Sequence, residues 1–243
     1  MEKNKFIAHD IKWDNDKIST FWNYVYSQGK LNKGFAEIVG ERVIQLVKKQ
    51  MKFTGNVLDH STGYGFIIKY LINTTNCDFY SSEYSSESVK NINNTFKKND
   101  KYKGCKQINN NILPWDDSFF DIIFATEVIE HIPYNDLEVL LKEFARVLTK
   151  YGKLIITVPN NENLEKKKQL CPECGAIFHP VQHVNSFNSE NLEKLLLQFG
   201  FTKFWMKETY LTDGKFTLKR SIKRLYFKIK KEKPNLIFIA EKL

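Results

Sequence analysis

The sequence predicts an α/β protein built on a parallel sheet, and three observations carry that expectation. Apolar, β-favouring runs alternate with segments of helical spacing along most of the chain. Residues 56–66, NVLDHSTGYGF, pass from an apolar strand end through an acid to a glycine turn and into a helical pattern. Residues 121–125, DIIFA, are near-continuously apolar, as a strand buried on both faces requires.

Each element follows in order. Residues 1–50 read as helical, with an aromatic cluster at Phe21, Trp22, Tyr24 and Val25 and helical spacing from Phe35 through Ile38, Val39, Val43, Leu46 and Val47. They read as a cover over the sheet, where the aromatics could also cap a ligand pocket. Val57 and Leu58 end the first strand, Asp59 stands at its carboxyl edge, Gly63 and Gly65 turn the chain, and Phe66 opens a helix. Residues 77–84, CDFYSSEY, make a second strand ending in Glu83, and residues 85–98 the next helix. A short strand at 106–108 leads to the turn-rich loop 109–120, NNNILPWDDSFF, and on to DIIFA. After 126–133, TEVIEHIP, a helix over 135–148 carries Leu137, Leu140, Leu141, Phe144, Val147 and Leu148. Tyr151-Gly152 close it, and 153–158, KLIITV, is a strand. A helix over 189–199 is opened by Asn188 or Ser189 and closed by Gly200. Strands at 204–206 and 235–241 complete the pattern.

In an open parallel sheet a nucleotide-like ligand sits at the carboxyl edge of such a strand and the amino end of the following helix. Neither G-x-G-x-x-G nor G-x-x-x-x-G-K-[ST] is present. Glu83 lies 24 residues beyond Asp59, and a carboxylate there offers two acceptor oxygens to the hydroxyls of a ribose.

Composition sets further bounds. With 243 residues, 42% of them hydrophobic, the chain can bury one sizeable core. A net charge of +9 favours an acidic partner: nucleic acid, a phosphorylated small molecule or an anionic membrane surface. The first residues, MEKNKFIAHDIKW, do not read as a secretory signal, and no run approaches the ~18 apolar residues of a membrane span, so a cytoplasmic location is expected. In a reducing compartment the C-x-x-C pair Cys171/Cys174 suggests metal or redox work before a structural disulfide.

Taken together, VLDHSTGYG, Glu83, LPWDDSFFDIIFATEVIEHIP, FARVLTKYGKLIITVPN and HVNSFNSENLEKLLLQFGF resemble the class I S-adenosylmethionine-dependent methyltransferases. The likeness is greatest to the small-molecule, quinone, glycan and RNA-end O-methyltransferases. The resemblance implies a Rossmann-like, seven-stranded, mostly parallel sheet with helices on both faces and the last strand antiparallel. It implies one methyltransferase domain over 1–243: a helical cap (1–50), a cofactor-binding half (51–163), a Cys/His insert (164–188) and a C-terminal half with a basic helix (189–243). The cofactor, S-adenosylmethionine, would meet Asp59, Ser61, Gly63 and Gly65 with its methionine end and Glu83 with its ribose. Asn110 and the backbone of Ile112 would face its adenine, and Thr126 would stand beside the sulfonium. One position departs from the family pattern: its first loop glycine is Ser61 here, where a side chain crowds a close approach to backbone.

Two clusters offer chemistry. In Glu127-Val-Ile-Glu130-His131, α-helical geometry would set both carboxylates and the imidazole on one face. Three readings stand: a base, His131, steered by an acid such as Glu127; a Mg²⁺ or Mn²⁺ site, as in some RNA-end and quinone methyltransferases; or a hydrogen-bonded cap. In residues 171–187, CPECGAIFHPVQHVNSF, the spacing C-x2-C-x4-H-x3-H suggests a zinc site from Cys171, Cys174, His179 and His183. Alternatively His183 faces the active site as a base or as a ligand shared with Glu127 and Glu130, or the loop is plain surface.

The leading expectation is an O-methyltransferase acting on a small-molecule or glycan-type hydroxyl, the acceptor phosphorylated or nucleotide-linked in some forms. Metal-dependent RNA 2′-O-methylation and a non-catalytic zinc-bearing binding protein are the alternatives. Residues 215–233, with nine Lys/Arg against one Glu, read as a solvated helix face or a contact to an anionic surface, including a peripheral membrane contact.

Overall fold

A computed structural model describes residues 7–27, 34–212 and 233–243. The basic stretch from Lys215 onward, apart from its last residue, lies outside the described residues.

The expected sheet forms from β2 (Asn56–His60), β3 (Asp78–Glu83), β4 (Tyr102–Gln107), β5 (Phe120–Thr126), β6 (Leu148–Pro159), β9 (Phe201–Thr209) and β10 (Asn235–Lys242). Their spatial order is β4-β3-β2-β5-β6-β10-β9. The strands from β4 to β6 pair in parallel, and β10 runs antiparallel to both its neighbours. The chain moves outward from β2 through β3 to β4, then returns to pair β5 on the other side of β2. That reversal opens a crevice at the strands' carboxyl ends, where α/β sheets bind ligands.

Helices cover both faces: α2 (Phe35–Val47), α3 (Phe66–Leu71), α4 (Ser86–Phe96), α5 (Tyr134–Val147) and α6 (Ser189–Gln198). Strand alternation divides the core in two. Leu58, Ile123, Leu154, Ile156 and Phe238 pack with Leu140, Leu141 and Phe144 of α5 and Leu192 of α6. Val57, Phe79, Ile122, Phe124, Ile155 and Ile237 pack on the other face with Val43 and Val47 of α2 and Ile67 and Ile68 of α3. At the start of α6 the Asn188 side chain accepts from the backbone amides of Glu190 and Asn191, and Gly200, at φ +82°, follows the helix as expected.

Several bounds differ from the sequence expectation. The first 50 residues include α1 (Asn15–Ser27) and a short strand β1 (His9–Asp10) besides α2. The third strand of the main sheet starts earlier than expected, at Tyr102, and β6 begins directly where α5 ends, carrying Tyr151 at φ +65°. The Cys/His insert folds as a hairpin of β7 (Gln169–Leu170) and β8 (Ala176–Phe178), and β1 pairs in parallel with β8. Gly175 turns that hairpin at φ +81°. A side chain there would meet the Ile7 carbonyl at 2.5 Å, so glycine is what lets the N-terminal segment cross.

Candidate functional site

The carboxyl ends of β2, β3 and β5 lie side by side, with His60 paired to Ser82 and to Ala125. Above them is a cavity of about 370 Å³, within the usual size of small-molecule sites. Ser61, Glu83, Tyr84, Asn110, Glu127 and His131 line it, together with Asn15, Ser19 and Trp22 of α1.

Glu83, at the end of β3, is buried. The Gly63 amide donates to its Oε1 at 2.6 Å and the Tyr84 amide to its Oε2 at 3.2 Å. A carboxylate has about four acceptor positions, so two remain for a pair of hydroxyls. Burial raises the Glu83 carboxyl to about 7 against those two amide bonds, leaving a charge for which a donor-rich ligand would compensate. Nothing lies within 4 Å of a Cβ built on Gly63, so the loop leaves room beside it. These features fit an adenosyl cofactor.

The other cofactor positions divide. Asp59 is buried beneath the loop, where its Oδ2 accepts from Thr62 Oγ1 at 2.5 Å, and it does not line the cavity. Gly65, at φ +71°, ends the turn against Phe96, so its role is packing. Ser61 takes the family's glycine position at φ +52°, a left-handed conformation that costs an ordinary residue about 1–2 kcal/mol. Asn110 lines the cavity, but its neighbour Asn111 is the buried one, accepting from the Tyr84 hydroxyl. Ile112 is not among the residues that line the cavity: its amide donates to the Asn109 carbonyl at 3.1 Å, closing a turn, and its side chain is half-exposed.

The Glu127–His131 segment is not an α-helix. Glu127 leaves β5 at φ +52°, its amide donating to the Thr157 carbonyl at 2.9 Å, and only Ile129–His131 coil, as a 3₁₀ turn. Helical spacing is therefore not what gathers these groups; the downstream chain does it. The amides of Val184 and Asn185 donate to the Glu130 carbonyl at 2.8 and 3.1 Å, and Asn185 Nδ2 donates to Ile132 at 2.7 Å. Gln182, fully buried, donates to the His131 carbonyl at 2.7 Å and accepts from Trp22 Nε1 at 2.9 Å. His183 is thereby held against His131, ring centroids 4.7 Å apart, and Trp22 packs edge-on to His131.

In the resulting cluster Glu130 is buried, Glu127 and His131 are partly buried, and several polar atoms are short of partners. Thr126 Oγ1, Glu127 Oε1, both Glu130 carboxylate oxygens and His131 Nδ1 have no hydrogen-bond partner among the described residues. Burial raises both glutamates, and the Glu127 charge raises Glu130 further. Burial, reinforced by His183, lowers His131 to about 3. One potential ligand atom each from Glu130, His131 and His183 lies within 4.8 Å of the other two.

The expected Cys₂His₂ zinc set does not assemble. Cys171 and Cys174 sit on the hairpin turn at the surface and join neither potential metal-ligand group found among the described residues. His179 and His183 turn inward, stack at 4.6 Å and meet Glu162, which sequence reasoning did not single out. Burial alone would raise the Glu162 carboxyl, but hydrogen bonds from His183 and Lys167 outweigh it and bring it to about 2. Glu162 follows the strand as part of a plain polar loop, NNENLE, and no spacing marks it. Trp22 stood in the aromatic cluster already noted; Gln182 carried no signal.

A seven-stranded doubly wound sheet with an acid at the second strand's end, a crevice at the strand reversal and the last strand antiparallel matches the fold expected of a class I methyltransferase. The profile of a methyltransferase domain matches residues 34–204, and the chain belongs to that family. An uncharacterized protein of Methanocaldococcus jannaschii is 33% identical over 184 residues, 75% of this chain and 72% of its own length. Among solved structures, a chain of the complex between the Haloferax volcanii Trm112 methyltransferase activator and a methyltransferase superposes with a TM-score of 0.67 at 14% identity, covering 95% of this chain and 99% of that one. An S-adenosylmethionine-dependent methyltransferase from Aquifex aeolicus superposes at 0.60 with 16% identity, covering 96% and 100%. The structural likeness is one of fold; the family match makes the chain an S-adenosylmethionine-dependent methyltransferase. No helix among the described residues is long and apolar enough to cross a membrane.

Proposed function

We propose that the protein methylates a hydroxyl of a small-molecule or glycan-type acceptor, with Glu83 holding the cofactor's ribose and Ser61 and Gly63 flanking its methionine end. The observation that carries this is the group formed by Glu127 and His131, which line the same cavity, and the buried Glu130 between them in the chain. A sulfonium donor needs little help in leaving, so alignment in the cavity supplies most of the catalysis. A hydroxyl acceptor must also lose a proton, and a cluster of carboxylates and an imidazole suits that need.

His131 is better placed to offer a lone pair than to act as a base. A conjugate acid near 3 is far from the operating pH at which a general base works well. Two neighbouring buried carboxyls that resist ionisation, with oxygens lacking partners, favour a divalent cation between them. Glu130, His131 and His183 offer ligand atoms within 4.8 Å of one another and would hold it, with the Glu127 carboxyl next to Glu130 adding an oxygen of the kind that suits Mg²⁺ or Mn²⁺. When bound, such a cation acidifies a coordinated hydroxyl. Trp22 and Gln182 keep His131 in place, and α1 lines the cavity beside them.

Purified protein incubated with isotope-labelled cofactor and fractionated cell extract tests this reading. Expected are O-methyl products whose formation stops with chelator and returns with Mg²⁺ or Mn²⁺. N-methyl products formed equally well in chelator would overturn it.

A further inference from the structure

We propose that Glu162, His179 and His183 form a second cation position, for a zinc-class divalent ion, beside the Glu127–Glu130–His131 group. The inference is independent of the acceptor chemistry above. All three side chains are buried, at 4%, 2% and 10% exposure, and one ligand atom from each lies within 4.8 Å of the others. His179 Nε2 is buried without a hydrogen-bond partner among the described residues, 3.6 Å from Glu162 Oε1. A polar atom so placed is costly unless something coordinates it.

The spacing suits an ion. Tetrahedral bonds of about 2.0–2.1 Å set ligand atoms roughly 3.3 Å apart. His179 Nε2 and Glu162 Oε1 are already near that separation, and an ion there would displace the Lys167 ammonium that pairs with the same oxygen. Glu162 Oε2 and His183 Nδ1 are hydrogen-bonded at 2.5 Å, and an ion between them would open the pair by less than about 1 Å. The His183 amide donates to His179 Nδ1 at 3.3 Å, and coordination through Nε2 gives up that long bond as the proton moves to Nδ1.

Donor chemistry selects the metal class. Two imidazoles and one carboxylate are a borderline set, typical of zinc sites that keep a fourth position open for water or a substrate oxygen. His183 belongs to both triads, and a neutral imidazole offers one lone pair, so it serves one position at a time. The cysteines are not needed: they lie on the exposed hairpin turn and join neither group.

The test strips the full chain with chelator, reloads it with zinc chloride, desalts it and counts zinc by mass spectrometry. The parent protein, Glu127→Gln and the double variant Cys171→Ser/Cys174→Ser should each retain about one zinc that His179→Ala and Glu162→Gln lose. Equal zinc in all five, no zinc in the parent, or loss confined to the cysteine variant would each overturn the proposal. Calorimetry with S-adenosylhomocysteine checks that each variant is folded. Should the His179 and Glu162 variants fail that check, cobalt substitution of the parent protein decides. Visible bands of a tetrahedral nitrogen–oxygen site support the proposal; sulfur-to-cobalt charge-transfer bands, or no tetrahedral bands, overturn it.

Discussion

Replacing Glu83 by Gln removes the charge at the proposed ribose end of the cavity with little change in shape, and sets the new NH2 against one of the two backbone amides. The carboxylate already accepts two backbone amides, from Gly63 and Tyr84, and has two acceptor positions left. Hydrogen bonds to a charged group contribute ~1.5–3 kcal/mol each, and a carboxamide keeps one of its two acceptor oxygens, so a loss of ~2–3 kcal/mol is expected. That is roughly 30- to 150-fold in Kd. Titration calorimetry with S-adenosylhomocysteine at pH 8 measures it, with the thermal midpoint as a folding control. The pH dependence supplies a second reading. Burial raises Glu83 to about 7, so below that value the carboxyl is protonated and must lose its proton to accept two hydroxyls. Affinity in the parent protein should therefore rise about tenfold between pH 6 and pH 8 and then level off, and Glu83→Gln should flatten that rise. Binding by the variant within threefold of the parent, with the slope intact, would refute the ribose assignment.

Two further outcomes are expected. Ser61→Gly should tighten cofactor binding several-fold with little change in stability, because the relief of about 1–2 kcal/mol at φ +52° is offset by glycine's greater freedom in the unfolded chain; unchanged affinity by calorimetry would mean that the Ser61 side chain does not crowd the ligand. Gly65→Ala should destabilise by roughly 2–4 kcal/mol, since the new methyl meets Phe96 at 2.6 Å on a backbone at φ +71°; denaturant unfolding checks this, and a loss under about 1 kcal/mol would show that Phe96 moves aside.

The sheet was legible because strand and helix periods are local. Val57 and Leu58, or Ile122 and Ile123, point to opposite faces whatever surrounds them, and the two core clusters follow that alternation. Glu83 was legible for a related reason: one crossover fixes its distance from the glycine turn, and parallel pairing brings both to one edge. The Glu127–His131 group was visible as residue types in sequence, but not for the geometric reason first assigned to it. An α-helical face was expected, whereas a left-handed Glu127 and a 3₁₀ turn were found, and the hydrogen bonds of Gln182, Val184 and Asn185 complete the cluster.

The chain by itself determined the layered sheet, the position of the crevice and the acid at the end of β3, because these depend on periodicity and on short connections. Only the tertiary structure decided the partners of the histidines. Spacing joined His179 and His183 to Cys171 and Cys174; folding turned the imidazoles inward to Glu162 and left the thiols on a surface turn. Sequence separation says little about which groups a hairpin buries. That choice is made where the chain after β6 docks on the Glu130 turn and buries Glu162, His179 and His183 together.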